Sequence, residues 1–409
     1  MKKETTIIGN SSSSRTSVTS LTSLASIALV GLMLITLVSS CSKSDGFDEQ
    51  YGAEAGAPIA GVSTYATHFE EDTLQTRAWT PQDDPDPNVT YVPYEEGDTT
   101  IAIAFTKNGV DPLKGHFFKS TDQWRTNVDF VATDYYLYGY IPNLHGVNFS
   151  VKDLDGTNAA YSAGATVTLD SVPSVLRNDL CVVIGAKDGM DKEHDNGLYR
   201  GDFKYTAKAL KDGVGKPNHS NYVFLLFDHL YAAIRINMRV YGEYDKVRKI
   251  RLKSLKLNPS KEGEVPTTEM TKITVKLTAN NTSTDPVTSI TYSGLGKNID
   301  EGSEFWSKYT GTPPGELLTT TYQSFIGHFM PHGVSTLVLT STYDVYDTKG
   351  TLVRENCVAV NTMKISQLLS GQTETARGKR YTIDMTVRPT YLYMLSEPDL
   401  NNPTVVLEP

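Results

Sequence analysis

What this chain has little of sets its bounds. Its 409 residues hold three cysteines, with no Cys-x-x-Cys pair and no zinc-type spacing, which excludes a disulfide scaffold. Basic residues form no stripe, and 38 of them against 47 acidic residues leave a formal charge of −9. A mildly acidic protein has no electrostatic reason to seek nucleic acid. Gly-x-Ser-x-Gly, P-loop and dinucleotide fingerprints are missing too, so the common hydrolase and nucleotide chemistries have no foothold. No paired carboxylates or activated nucleophile stand out, and we expect neither an enzyme nor a cofactor.

What is present begins at the N-terminus. Lys2, Lys3 and Arg15 precede a charge-free apolar core, Ile27–Val38, and Leu34-Ile-Thr-Leu-Val-Ser-Ser-Cys41 ends it in small residues before a cysteine. The whole charge-free tract from Thr16 is long enough to span a bilayer. Its first half is rich in Ser and Thr, however, which leaves a signal-length hydrophobic region. The stretch resembles a bacterial lipoprotein signal, cut before Cys41, whose new N-terminal cysteine carries lipid. Several acyl chains hold a protein firmly where one holds it weakly. Losing residues 1–40 removes Lys2, Lys3, Arg15 and Glu4, and the charge becomes −11. Cys181 and Cys357 remain, each inside an apolar run, and read as buried thiols acting as small hydrophobes; pairing between them stays open.

Residues 41–60 lack the apolar content for a core and read as a tether. Beyond them the pattern is β throughout. Gly61-Val-Ser-Thr-Tyr-Ala-Thr-His68 is a candidate strand, and Pro81-Gln-Asp-Asp-Pro-Asp-Pro87 breaks regular structure. Ile101, Ile103 and Phe105 alternate onto one face. Val128–Ile141 is aromatic-rich and stopped by Pro142. Leu180–Ile184 is continuously apolar, as in a strand covered on both faces. Tyr222–Val240 gives the longest strand signal, with Ile234, Ile236, Met238 and Val240 opposite Arg235, Asn237 and Arg239. Ile250–Leu257 alternates with a phase shift at Ser254 that predicts a β-bulge. Asp347-Thr-Lys-Gly350 predicts a hairpin turn, and Val360–Leu369 hints at a short helix. Two blocks of short strands predict an all-β chain of two antiparallel β-sandwich domains of transthyretin-like or Greek-key type, residues 61–217 and 218–409.

Several polar groups invite chemistry. His229 adjoins Asp228, yet neighbours on a strand point to opposite faces and make no dyad; a structural His bonded to backbone is expected. His328 and His332 mimic a helical metal pair, but Pro331 between them argues against a helix. Asp188–Gly197 offers oxygens for calcium without the needed spacing. No metal is expected. The basic residues of Lys246–Lys256 alternate with apolar ones and read as a wet sheet face.

Phe227-Asp-His-Leu-Tyr-Ala-Ala-Ile-Arg-Ile236 and Asp134-Tyr-Tyr-Leu-Tyr-Gly-Tyr-Ile-Pro142 carry a resemblance, with Asp179-Leu-Cys-Val-Val183 and Gly378-Lys-Arg-Tyr-Thr-Ile-Asp-Met385. In order and spacing behind a lipobox, they resemble the fimbrillin family, the type V pilus subunits of Bacteroidia. The resemblance implies export as a lipoprotein of the outer membrane, cleavage by an arginine-specific protease, and polymerisation by donor-strand exchange. It implies cleavage between Arg77 and Ala78, freeing a strand that ends there, and a donor extension at 391–409 with Tyr391, Tyr393, Leu395, Val405 and Leu407 as its apolar positions. Partners would be other copies or related subunits, the membrane through Cys41, and a surface receptor or glycan. The other reading is a monomeric glycan-binding lipoprotein whose aromatics Trp124, Tyr135 and Tyr136 grip sugars.

Overall fold

The computed structural model describes residues 56–67, 69–72, 91–93, 100–120, 122–188, 200–215, 221–260, 270–279, 285–294, 302–368, 371–389 and 403–407. Cys41, Arg77, Ala78, Tyr391, Tyr393, Leu395 and most of the Asp188–Gly197 loop lie outside them. Most of what is described is strand, in four sheets that form two β-sandwiches. Among the described residues no helix is long and apolar enough to cross a membrane.

The first sheet takes its strands in the order Ala57–Pro58, Gln123–Thr126, Val110–Ser120, Ile101–Lys107, Asp134–Ile141, Cys181–Asp188, Val223–His229, Val62–Thr67 and Tyr91–Pro93. Among the described residues its pairs are antiparallel except one: Val62–Thr67 runs parallel to Val223–His229. A four-stranded sheet covers one face, ordered Val287–Gly294, Met270–Thr278, Gly164–Pro173 and Asn148–Asp153. Side-chain alternation divides the interior. Ala102, Ala104, Tyr138, Tyr140, Val182 and Ile184 pack with Val167, Leu169, Ile273 and Val275. Ile101, Ile103, Phe105, Leu137, Val183, Leu225 and Phe227 fill a separate core on the other face. Leu180–Ile184 is thus apolar at every position because both of its faces are covered. Gly139 sits where a Cβ would come 2.2 Å from the Ala102 carbonyl oxygen, so only glycine lets these strands close.

The third sheet is ordered Val175–Leu176, Gln323–Phe329, Ala232–Val240, Lys379–Pro389 and Pro403–Leu407, and the fourth Ser303–Ser307, Arg248–Ser260, Thr336–Asp347 and Leu352–Lys364. Between them Ile234, Ile236 and Met238 meet Leu252, Leu255, Leu257, Leu337 and Leu339. The predicted bulge is present, as a register shift between Leu252 and Ser254. The Asp347–Gly350 turn joins its two strands, with Gly350 at φ +87°.

Four expectations change. The signal from Tyr222 to Val240 is two strands in two sheets, not one: Val223–His229 pairs with Cys181–Asp188, and Ala232–Val240 pairs with Gln323–Phe329 and Lys379–Pro389. The chain crosses over at Leu230 and Tyr231, where the Leu230 N–H donates to the Leu180 carbonyl and the Tyr231 carbonyl accepts from Gly378. The helix in Val360–Leu369 shrinks to Ile365–Leu368, because the strand runs on to Lys364. Tyr135 is buried against Phe105 rather than exposed to sugars. Beyond residue 217, Val223–His229, Met270–Thr278 and Val287–Gly294 all join the first sandwich.

Candidate functional site

The N-terminal segment links the two sandwiches. Val62 to Ala66 take the register of Val223 to Phe227. Three residues past Thr67, Glu70–Asp72 runs parallel to Lys379–Tyr381 of the third sheet. Between those two pairings the segment crosses a buried polar cluster.

Cys181 and His229 are cross-strand partners and share a face. Asp179 precedes Cys181 by two residues, which returns it to that face. The His229 Nδ1–H donates to Asp179 Oδ2 at 2.6 Å, and the Cys181 thiol donates to the same oxygen at 2.9 Å. The His229 Nε2–H donates to the Thr67 carbonyl at 2.6 Å. Both ring nitrogens thus face oxygen acceptors, which requires a proton on each nitrogen with Asp179 ionised, or the equivalent proton on the carboxyl. Burial works to lower the His229 pKa, but the Asp179 carboxylate overrides it and the net shift is upward. For Asp179 burial works to raise the pKa, while charged His229 beside it brings the net shift downward. The two shifts describe one ion pair, almost entirely shielded from water at 3% and 2% side-chain exposure.

Asp228 works on the opposite face of the same strand. Its Oδ1 accepts from the Thr67 hydroxyl at 2.9 Å, and its Oδ2 from Arg377 at 2.6 Å. Arg377 also donates to the His229 carbonyl at 3.1 Å. Beyond Thr67, the Phe69 ring stacks on the His229 imidazole with centroids 3.7 Å apart and planes 22° apart. His328 lies 5.9 Å from the same ring, and the Arg380 guanidinium sits 5.1 Å over it. Thr67 and Phe69 are therefore gripped through a carbonyl, a hydroxyl and a ring.

The cluster's chemistry is that of a hydrogen-bonded clamp. A carboxylate, a thiol and an imidazole lie within 4.8 Å of one another, a donor set that zinc accepts. Ligand atoms sharing one tetrahedral zinc stand roughly 3.3 Å apart or more, whereas the 2.6 and 2.9 Å separations here belong to hydrogen bonds. Nor is Cys181 poised as a nucleophile: it is fully buried and its proton goes to a carboxylate, where reactive thiols need access. The His328 Nδ1–H donates to the Arg177 carbonyl, and His332 stacks on Tyr292, so the two serve different neighbours.

Sequence reasoning singled out His229 and expected a bond to backbone, which its Nε2–H makes to the Thr67 carbonyl, but it missed Asp179 as the side-chain partner. Asp179, Cys181, Asp228, Thr67 and Phe69 were all visible as residues, and the spacing of Asp179 and Cys181 placed two polar groups on one strand face. Val405 and Leu407 lie in Pro403–Leu407, opposite Val387 and Met385.

No family model matches this chain, and no curated relative matches it. Solved structures do. The chain resembles a fimbrial protein from Bacteroides vulgatus at 14% identity, covering 81% of this chain and 95% of that one, with a TM-score of 0.30. It also resembles proteins described under cell adhesion from Bacteroides uniformis (12% identity, 72% and 88% covered, TM-score 0.30) and Bacteroides fragilis (11%, 82% and 95%, TM-score 0.32). At such TM-scores whole chains do not superimpose closely, so the weight of a functional reading falls on this chain's own residues.

Proposed function

We propose that this chain is a structural and adhesive subunit of a cell-surface fimbrium. It is exported to the outer membrane as a lipoprotein acylated on Cys41, then polymerised by donor-strand exchange after cleavage between Arg77 and Ala78. It acts without cofactor and without catalysis. Its partners are further copies or related subunits, and a receptor or glycan at the surface.

One observation carries the reading. Among the described residues, the segment ahead of Arg77 is the one parallel insertion in the first sheet, and it continues onto the outer edge of Lys379–Pro389. That edge is shared end to end, since Pro403–Leu407 of the C-terminal tail pairs antiparallel with Met385–Pro389. A chain cut after Arg77 and stripped of what precedes it opens the edge of Val223–Phe227 together with that of Lys379–Tyr381. Unpaired edges of this kind take up a strand from another molecule, whose main chain supplies hydrogen bonds while alternate side chains fill pockets. Retaining the segment until cleavage keeps the edge covered during export.

The test is an Arg77→Ala variant expressed beside the unaltered chain in the presence of an arginine-specific protease. The unaltered chain forms ladders that resist mild denaturant, and the variant stays monomeric. Ladders from both, or from neither, contradict the proposal; a monomer that binds carbohydrate saturably points instead to a glycan-binding lipoprotein.

A further inference from the structure

We propose that the cluster around His229 is a sequence-reading lock, which holds an extended segment carrying a threonine or serine followed two positions later by an aromatic ring, and so distinguishes the chain's own N-terminal strand from its C-terminal tail. The inference rests on the functional reading only for its purpose; the lock itself is a property of the uncleaved chain.

Three separate contacts make up the lock. His229 takes the Thr67 carbonyl, which any residue presents, and so fixes depth and register. Asp228 takes the Thr67 hydroxyl, which only threonine or serine presents so close to the backbone. The imidazole face takes the Phe69 ring, with Arg380 over the same ring; a planar π-system suits both a charged imidazole and a guanidinium. Thr67-His-Phe69 meets all three conditions. From Pro389 to Pro409 no Thr or Ser is followed two residues later by an aromatic residue: Thr390 leads to Leu392, Ser396 to Pro398 and Thr404 to Val406. The tail can pair with a sheet edge through its main chain, but it cannot satisfy this cluster. The lock therefore favours the closed chain over premature exchange, until cleavage frees the segment and makes its departure irreversible by dilution.

The clamp also responds to protons. The groups facing His229 are Asp179 and Cys181 from the neighbouring strand and its approach, Asp228 on its own strand, Arg377 at its carbonyl, and His328 and Arg380 around the Phe69 ring. Loss of the shared proton leaves the Thr67 carbonyl or Asp179 without its donor. Grip on Thr67 is complete below the ordinary histidine pKa and weakens as pH rises through the elevated one.

Hydrogen exchange on the intact, uncleaved chain tests this. In Phe69→Ala and His229→Gln, protection of Val62–Thr67 should fall about tenfold, the worth of one or two net hydrogen bonds. Protection of Thr336–Asp347 in the fourth sheet should stay unchanged. Phe69→Ala alters only the held segment, so it remains informative if His229→Gln fails to fold. Phe69→Tyr should restore protection, and the unaltered chain should lose protection factor as pH rises while His229→Gln stays flat. Equal protection of Val62–Thr67 in Phe69→Ala and the unaltered chain overturns the lock, as does a uniform loss across all sheets. Because no cleavage or polymer enters this readout, the lock can fail while the fimbrial reading stands, and the reverse.

Discussion

At the scale of single residues, the ion pair of Asp179 and His229 makes the sharpest demand. Removing one partner of a buried pair leaves the other uncompensated, at a cost of about 3–5 kcal/mol. Asp179→Asn should therefore lower unfolding free energy by that amount near neutral pH, measured by denaturant titration. The sign of its pH dependence comes from the two shifts. His229 is raised on folding, so its stabilisation is full below the unfolded histidine value and fades as pH rises through the folded one. Asp179 is lowered, so its stabilisation is full above the unfolded aspartate value and fades as pH falls through the folded one. The difference between the unaltered chain and Asp179→Asn should peak between those limits and shrink at both ends. A difference that is flat with pH contradicts the pair. His229 was legible in the sequence as a polar residue in an apolar strand. Its partner was not, because Asp179 lies 50 residues away in sequence and the eye falls first on adjacent Asp228. Local order records which residues share a strand face; it does not record which strand lies alongside.

At the scale of elements, alternation made most strands readable, since a period of two fits only a sheet with distinguishable faces. It failed where one run serves two sheets. Nothing in the composition of Leu230-Tyr231 announces a crossover: both are apolar and fully buried, and the change is made by backbone partners brought from Leu180 and Gly378. The hairpin of Thr336–Asp347 and Leu352–Lys364 holds a second irregularity. Its register shifts between Tyr343 and Val345, and Asn356 opposite takes φ +53°. The Asn356 N–H donates to Asp344 Oδ1 at 2.8 Å, and Lys253 donates to Asn356 Oδ1 at 2.8 Å. A β-branched residue pays about 1–2 kcal/mol for that left-handed conformation and loses the acceptor as well. Asn356→Val should therefore destabilise by about 2 kcal/mol or more, and Asn356→Gly by less; the reverse order in thermal or denaturant unfolding would contradict the bulge geometry.

At the scale of the whole molecule, the alternating pattern announced two sandwiches, while the chain's path between them was hidden. Met270–Thr278 and Val287–Gly294 return to the first sandwich after Arg248–Ser260 has entered the second. Only long-range pairing decides that, and Gly164–Pro173 supplies it through eight register partners. The cysteines give a further global prediction. Cys181 and Cys357 are both free and buried, and burial pushes the Cys357 thiol up. A mature chain acylated on Cys41 should show two thiols to a thiol reagent once unfolded and almost none while folded. A third titrating thiol would mean that Cys41 carries no thioether-linked lipid.

The most direct measurement is the N-terminus and intact mass of the protein assembled at the cell surface, with and without an arginine-specific protease. The account predicts a chain that begins at Ala78 in protease-dependent, denaturant-resistant ladders, and one that begins at acylated Cys41 when the protease is withheld. A monomer that keeps Cys41 and Val62–Asp72 in both conditions would contradict strand exchange as this protein's means of assembly.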